Sequence, residues 1–152
     1  MGSFDRALHA LDGAAGGAER WRFAGDGWFM GAPLSTGNTI YAATMRGSVY
    51  ALDDSGHQLW QYQRAAAEFR ASPILAGGTL VLAARDGSMI GLDPATGTER
   101  WAQTVPGARV DANGLLLESN LFYITTERTV LRVDPTSGSA QTFTVQPPAS
   151  GK

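Results

Sequence analysis

An all-β fold, built from repeats of one four-stranded antiparallel unit, is predicted by three observations. A short signature recurs: Ala51-Leu52-Asp53 to Gly56 and Trp60, Gly91-Leu92-Asp93 to Gly97 and Trp101, and a stretched copy from Ala10-Leu11-Asp12 to Trp21. A fourth copy, Arg132-Val133-Asp134 to Gly138, counts out to Thr142 where Trp is expected. The four aspartates lie 41, 40 and 41 residues apart, and a fixed period of that size marks a repeat architecture. Between the signatures, short runs of strand formers alternate with Gly-containing turns, and no comparable window carries a strong helical period.

The elements follow in order. Residues 4–24 supply two strands joined by the lengthened turn Gly13-Ala14-Ala15-Gly16-Gly17. That turn is not a phosphate loop, because no Gly-Lys-Ser/Thr follows and no helix begins there. Residues 25–63 form the first full unit, with Pro33-Leu34, Thr39 to Ala43, Gly47-Ser48-Val49-Tyr50 and the strand ending at Trp60 and beyond. In residues 64–104 the reading is clearest. Ser72 to Leu75 is a short strand closed by Gly77-Gly78, and Thr79 to Ala84 follows. Arg85-Asp86-Gly87 turns the chain into Ser88 to Leu92, and Glu99 to Gln103 is the outer strand. Residues 105–145 repeat the scheme with Asn113, Leu121 to Thr125, and Arg128 in place of the turn glycine. The stretch 146–152, rich in Pro, Gly and Ser, reads as a linker-like tail. The count is fourteen strands, three and a half units.

The signature has a physical reading. Its Asp ends a strand and accepts backbone N–H bonds within the turn. Its Gly supplies a positive φ. Its Trp lies on the outermost strand, where the indole covers the neighbouring unit; one buried Trp removes roughly 150–250 Å² from water. Asp12, Trp21, Asp53, Gly56, Trp60, Asp93, Gly97, Trp101, Asp134 and Gly138 are therefore read as structural.

Composition narrows the function. The net charge of −2 argues against a general nucleic-acid binder. With no Cys there is no disulfide, thiolate metal site or Cys nucleophile. No apolar stretch approaches the roughly 18 residues of a membrane span, and Met1-Gly2-Ser3-Phe4-Asp5-Arg6 matches neither a signal peptide nor a myristoylation site. Four of the fourteen carboxylates are taken up by the turn aspartates Asp12, Asp53, Asp93 and Asp134. His9 and His57 have no neighbouring His or Cys in sequence and are read as surface or packing residues. No catalytic, cofactor-binding or metal-binding residue is assigned.

On the signature at 91–101 and 51–60, its stretched copy at 10–21 and its damaged copy at 132–142, the chain resembles the PQQ-like, quinoprotein-type repeat family. The resemblance implies four-stranded blades of a β-propeller, arranged radially, with the signature tying each blade to the next. The family's dehydrogenases hold a quinone cofactor with calcium, carboxylates and a vicinal Cys pair, and this chain has no Cys. The resemblance therefore points to the non-enzymatic branch, a scaffold or protein-interaction module without a cofactor. Fragment of a PQQ/calcium-dependent dehydrogenase and ligand-sensing receptor domain are the alternatives. A periplasmic or extracellular setting is suggested by the resemblance alone. Closed propellers have about four to eight blades, so three and a half blades leave open faces. The partner is then the remainder of a longer propeller, or a second copy in an oligomer, besides any protein bound through loops.

Such loops are expected at one end of the blades. They carry Trp28, Phe29, Phe69, Arg70, Arg109 and Asp111 between units, and Arg46, Arg85 and Arg128 within them. Arg and large aromatics are enriched in binding hot spots. Trp28 stands outside the repeated Trp position; with Phe29 it either presents a binding surface or packs in the channel wall or between blades. Glu68 with Arg70, and Arg109 with Asp111, are expected as ion pairs of little net value.

Overall fold

The computed structural model describes residues 1–144, so the tail expected at 146–152 lies outside the described residues. Among the described residues there is no helix, hence none long and apolar enough to cross a membrane. The strands are β1 (Ala7–Asp12), β2 (Ala18–Ala24), β3 (Leu34–Thr36), β4 (Thr39–Ala43), β5 (Ser48–Asp53), β6 (Gln58–Gln63) and β7 (Ile74–Ala76). They continue with β8 (Thr79–Ala83), β9 (Ser88–Leu92), β10 (Glu99–Thr104), β11 (Leu115–Leu117), β12 (Asn120–Ile124), β13 (Thr129–Val133) and β14 (Ala140–Thr144). Each sheet is an antiparallel meander in chain order. β1–β2 form sheet I, β3–β6 sheet II, β7–β10 sheet III and β11–β14 sheet IV. The second strand of sheet IV begins at Asn120, one residue before the expected Leu121.

The sheets stack face to face, and the side-chain alternation of a strand sends successive residues to opposite neighbours. Ala42, Tyr50 and Leu52 of sheet II meet Leu8 of sheet I, while Tyr41, Ala43, Val49 and Ala51 meet Leu80, Leu82, Ile90 and Leu92 of sheet III. Val81, Ala83 and Met89, on the other face of sheet III, meet Leu121, Tyr123, Leu131 and Val133 of sheet IV. Both central strands of sheet III are buried throughout. This explains their near-continuous apolar sequence.

The indoles lie across these junctions. Trp21 Nε1 donates to the Asp54 carbonyl, Trp60 Nε1 to Pro94 and Trp101 Nε1 to Pro135, each on the next sheet at 2.8–3.1 Å. Each ring rests on the glycine of that sheet's signature turn. A Cβ at Gly56, Gly97 or Gly138 would meet the indole at 2.5–2.6 Å, and all three glycines also have positive φ. The turn aspartates accept backbone N–H bonds, as Asp93 does from Ala95 and Thr96. Arg100 bonded to Asp93, and the Ser137 and Thr136 amides at Asp134, hold those carboxyls below their ordinary range.

A β-bulge precedes each Trp. Trp21 faces Ala10, Trp60 faces Ala51 and Trp101 faces Gly91, and one residue is skipped before each. A bulge re-aims the side chain that follows it. Sheet IV has no bulge, so Gln141 faces Arg132 and Thr142 faces Leu131. Counting from Asp134 thus puts Thr142 at the Trp position, but in register the residue on the Trp face is Gln141.

Candidate protein-binding face

The loops between sheets and the turns between the second and third strands of each sheet lie together at one end. Backbone bonds lock them in place: Met45 N–H to the Trp28 carbonyl, Phe69 to Thr44, Arg85 to Glu68 and Thr126 to Arg109. Asp26 buttresses this end by accepting from Thr44 Oγ1 and Ser48 Oγ at 2.9 and 2.7 Å.

The expected loop residues divide into three groups. Phe29 and Phe69 turn inward and are core residues; of the two placements open to Phe29, it takes the packed one, while Phe69 leaves no ring at the surface. Phe29 packs with Leu8 and Tyr50, and Phe69 fills the junction of sheets II and III. Their backbones bridge adjacent elements, and burial of an aromatic ring outweighs any gain from exposure. Arg70, Arg85 and Asp111 form a charge network with Glu68. Glu68 Oε2 accepts from Arg70 Nη2 and Arg85 Nη1 at 3.4 and 3.3 Å, while Asp111 Oδ1 lies 3.7 and 3.4 Å from the two Nε atoms. The Glu68–Arg70 pair is present, but the expected Arg109–Asp111 pair is not among those formed; Asp111 turns to Arg70 and Arg85 instead. Trp28 (46 % exposed), Arg46, Arg109 and Arg128 remain at the surface. Arg46, Arg109 and Arg128 have no carboxylate within ion-pair distance among the described residues. Glu127 is instead held by the Thr126 hydroxyl and the Arg109 amide, which keep its carboxyl below the usual range.

Three hollows run along this face. One of about 240 Å³ is lined by Arg6, Gly27, Trp28, Met45 and Arg46. It shares Met45 and Arg46 with a second, of about 550 Å³. The second shares Ala66 and Glu68 with a third, of about 290 Å³, that reaches Arg85 and Arg109. Met45 stands beside Arg46 in one of the expected turns, whereas Arg6 lies outside the loops expected from sequence. The signal for Arg6 was its repeat position, because it stands where the next two units have Gly47 and Gly87, and like them has positive φ. Among the described residues no three His, Asp or Glu side chains gather as a metal-binding group.

Four-stranded antiparallel sheets stacked face to face through a periodic Asp–Gly–Trp signature define a β-propeller of the PQQ-like class, here as an arc that does not close. The chain belongs to the family described as outer membrane protein assembly factor BamB, whose model matches residues 2–144. The BamB of Xanthomonas campestris pv. campestris is 31% identical over 90 residues, 53% of this chain and 22% of that protein. The BamB of Nitrosomonas eutropha is 31% identical over 98 residues, 64% of this chain and 24% of that protein. The chain thus spans under a quarter of these curated relatives. The crystal structure of BamB from Moraxella catarrhalis has the same fold, with a TM-score of 0.79 at 20% identity over 99% of this chain and 47% of that one.

Proposed function

We propose that this chain is a non-catalytic propeller scaffold serving outer-membrane protein assembly from the periplasmic side, and that it holds a protein partner through the face bearing Trp28, Arg46, Arg85, Arg109 and Arg128. The family description and the names of both curated relatives support the setting. One observation carries the choice of face. The repeated Trp, Gly and Asp residues are engaged in turns and sheet junctions, whereas this end keeps an exposed indole and, at Arg46, Arg109 and Arg128, guanidinium groups with no carboxylate within ion-pair distance among the described residues. Such groups dominate protein-binding hot spots.

A photo-crosslinking residue placed at 46, 109 or 128 in cells tests this. It is expected to capture a component of outer-membrane protein assembly, identified by mass spectrometry, while the same residue at Leu59 or Arg22, on the exposed outer strands, captures none. Equal capture from both sets of positions, or capture only from the outer strands, overturns the assignment.

A further inference from the structure

The hollow beside Trp28 has a composition of its own. Its wall is the indole, against which Phe4 stands edge-on with ring centroids 5.7 Å apart. Met45 supplies a polarisable, adaptable side chain. Arg6 and Arg46 line it as well, and neither has a carboxylate within ion-pair distance among the described residues. Arg46 is set by packing: its Cγ and Cβ lie so close to Gly27 that a Cβ there would meet them at 3.0 and 3.2 Å. Arg6 is held at a φ of 66°, a conformation that L residues adopt at a penalty and that the next two units fill with Gly47 and Gly87. Arg6 thus carries a full side chain at a strained position where the next two units carry none. Here that side chain adds a second positive charge beside an exposed aromatic surface.

We infer that this hollow is the anchor point for an acidic peptide segment, seating one apolar or aromatic side chain against Trp28 and Phe4 while flanking carboxylates pair with Arg6 and Arg46. The inference rests on the proposed protein-binding role of this face and names the chemistry of the partner. Charge complementarity selects the occupant, since two unpaired guanidinium groups flanking an indole favour carboxylates and disfavour cations. The hollow also continues through Met45 and Arg46 into its neighbour, which gives an extended segment a path beyond its anchor.

The test uses the full chain and three fluorescein-labelled ten-residue peptides. One has a central Phe flanked by Asp and Glu, one has the same Phe flanked by Lys, and one is acidic with Gly in place of Phe. Binding of the acidic Phe peptide alone is expected, with affinity falling as salt is raised. Trp28→Ala and Arg46→Glu are each expected to weaken it about tenfold or more, and the Lys peptide is expected to bind Arg46→Glu better than the parent. Unchanged melting curves exclude unfolding; were Arg46→Glu to lower the melt, Arg46→Gln would replace it. Equal binding of acidic and basic peptides, or indifference to both Trp28→Ala and Arg46→Glu, overturns the inference. If crosslinks from 109 and 128 to an assembly component persist in that case, only this anchor fails and the wider reading stands; if they too are absent, both fail.

Discussion

Sheets III and IV are copies of one unit, yet they differ in how completely they are buried. Every residue of β8 and β9 is buried, with sheet II on one side and sheet IV on the other. In sheet IV, among the described residues, only the face toward sheet III is covered. On its far face Leu115, Ile124 and Phe143 are 64 %, 68 % and 49 % exposed. Their registers place Leu115 beside Phe122, Ile124 beside Val130 and Val130 beside Phe143, so they form one apolar surface. The difference teaches that a unit of this fold has no private core. Its hydrophobic stabilisation is a property of junctions, as in other repeat architectures.

Three pairs of substitutions probe that contrast. The largest effect is expected at the indole. Trp101→Ala removes a ring seated on Gly138 and a hydrogen bond to Pro135, and should destabilise the chain by about 3 kcal/mol. Gln141→Ala, on the matching face of sheet IV, should change stability by less than about 0.5 kcal/mol. Urea melts of the two variants measure the difference. Next come the central strands. Leu82→Ala, in the junction of sheets II and III, should lose about 2–3 kcal/mol, whereas Ile124→Ala on the exposed face should lose less than about 0.5 kcal/mol. Comparable losses in thermal denaturation would show that Ile124 is covered in solution. The smallest effect separates the turns. Gly87→Ala introduces a side chain at a φ of 85°, 2.5 Å from the Val105 carbonyl, and is expected to cost at least about 1–2 kcal/mol. Arg128→Gly, at the equivalent turn of sheet IV with a φ of 59°, should stabilise by less than about 1 kcal/mol, because relief of the left-handed strain is partly offset by the greater freedom of Gly in the unfolded chain. Differential scanning calorimetry would resolve the opposite signs.

Most of the fold was legible in the sequence, because strand length, turn glycines and the forty-residue period are all local properties. Thr79–Ala83 and Ser88–Leu92 fall where their composition places them, and the two-stranded start and the fourteen strands among the described residues agree with the count. What sequence could not supply was direction. Phe29 and Phe69 share the composition of a binding loop with Trp28, but only the folded backbone decides which rings turn into a junction. Asp111 sits two residues from Arg109 in sequence but meets Arg70 and Arg85 from other loops. Such pairings depend on how successive units are rotated against each other, which no local pattern encodes. Arg6 was hidden for the opposite reason: its meaning lies in comparison with Gly47 and Gly87, not in its own neighbourhood.

The bulge before each indole has a consequence for how such chains diverge. Because a blade's two surfaces serve different neighbours, one additional residue decides which neighbour every later side chain on that strand addresses. Comparing units column by column therefore equates Thr142 with Trp101, although the two point to opposite sides. An indole grafted at 142 would face back toward sheet III; the same graft at 141 would face outward.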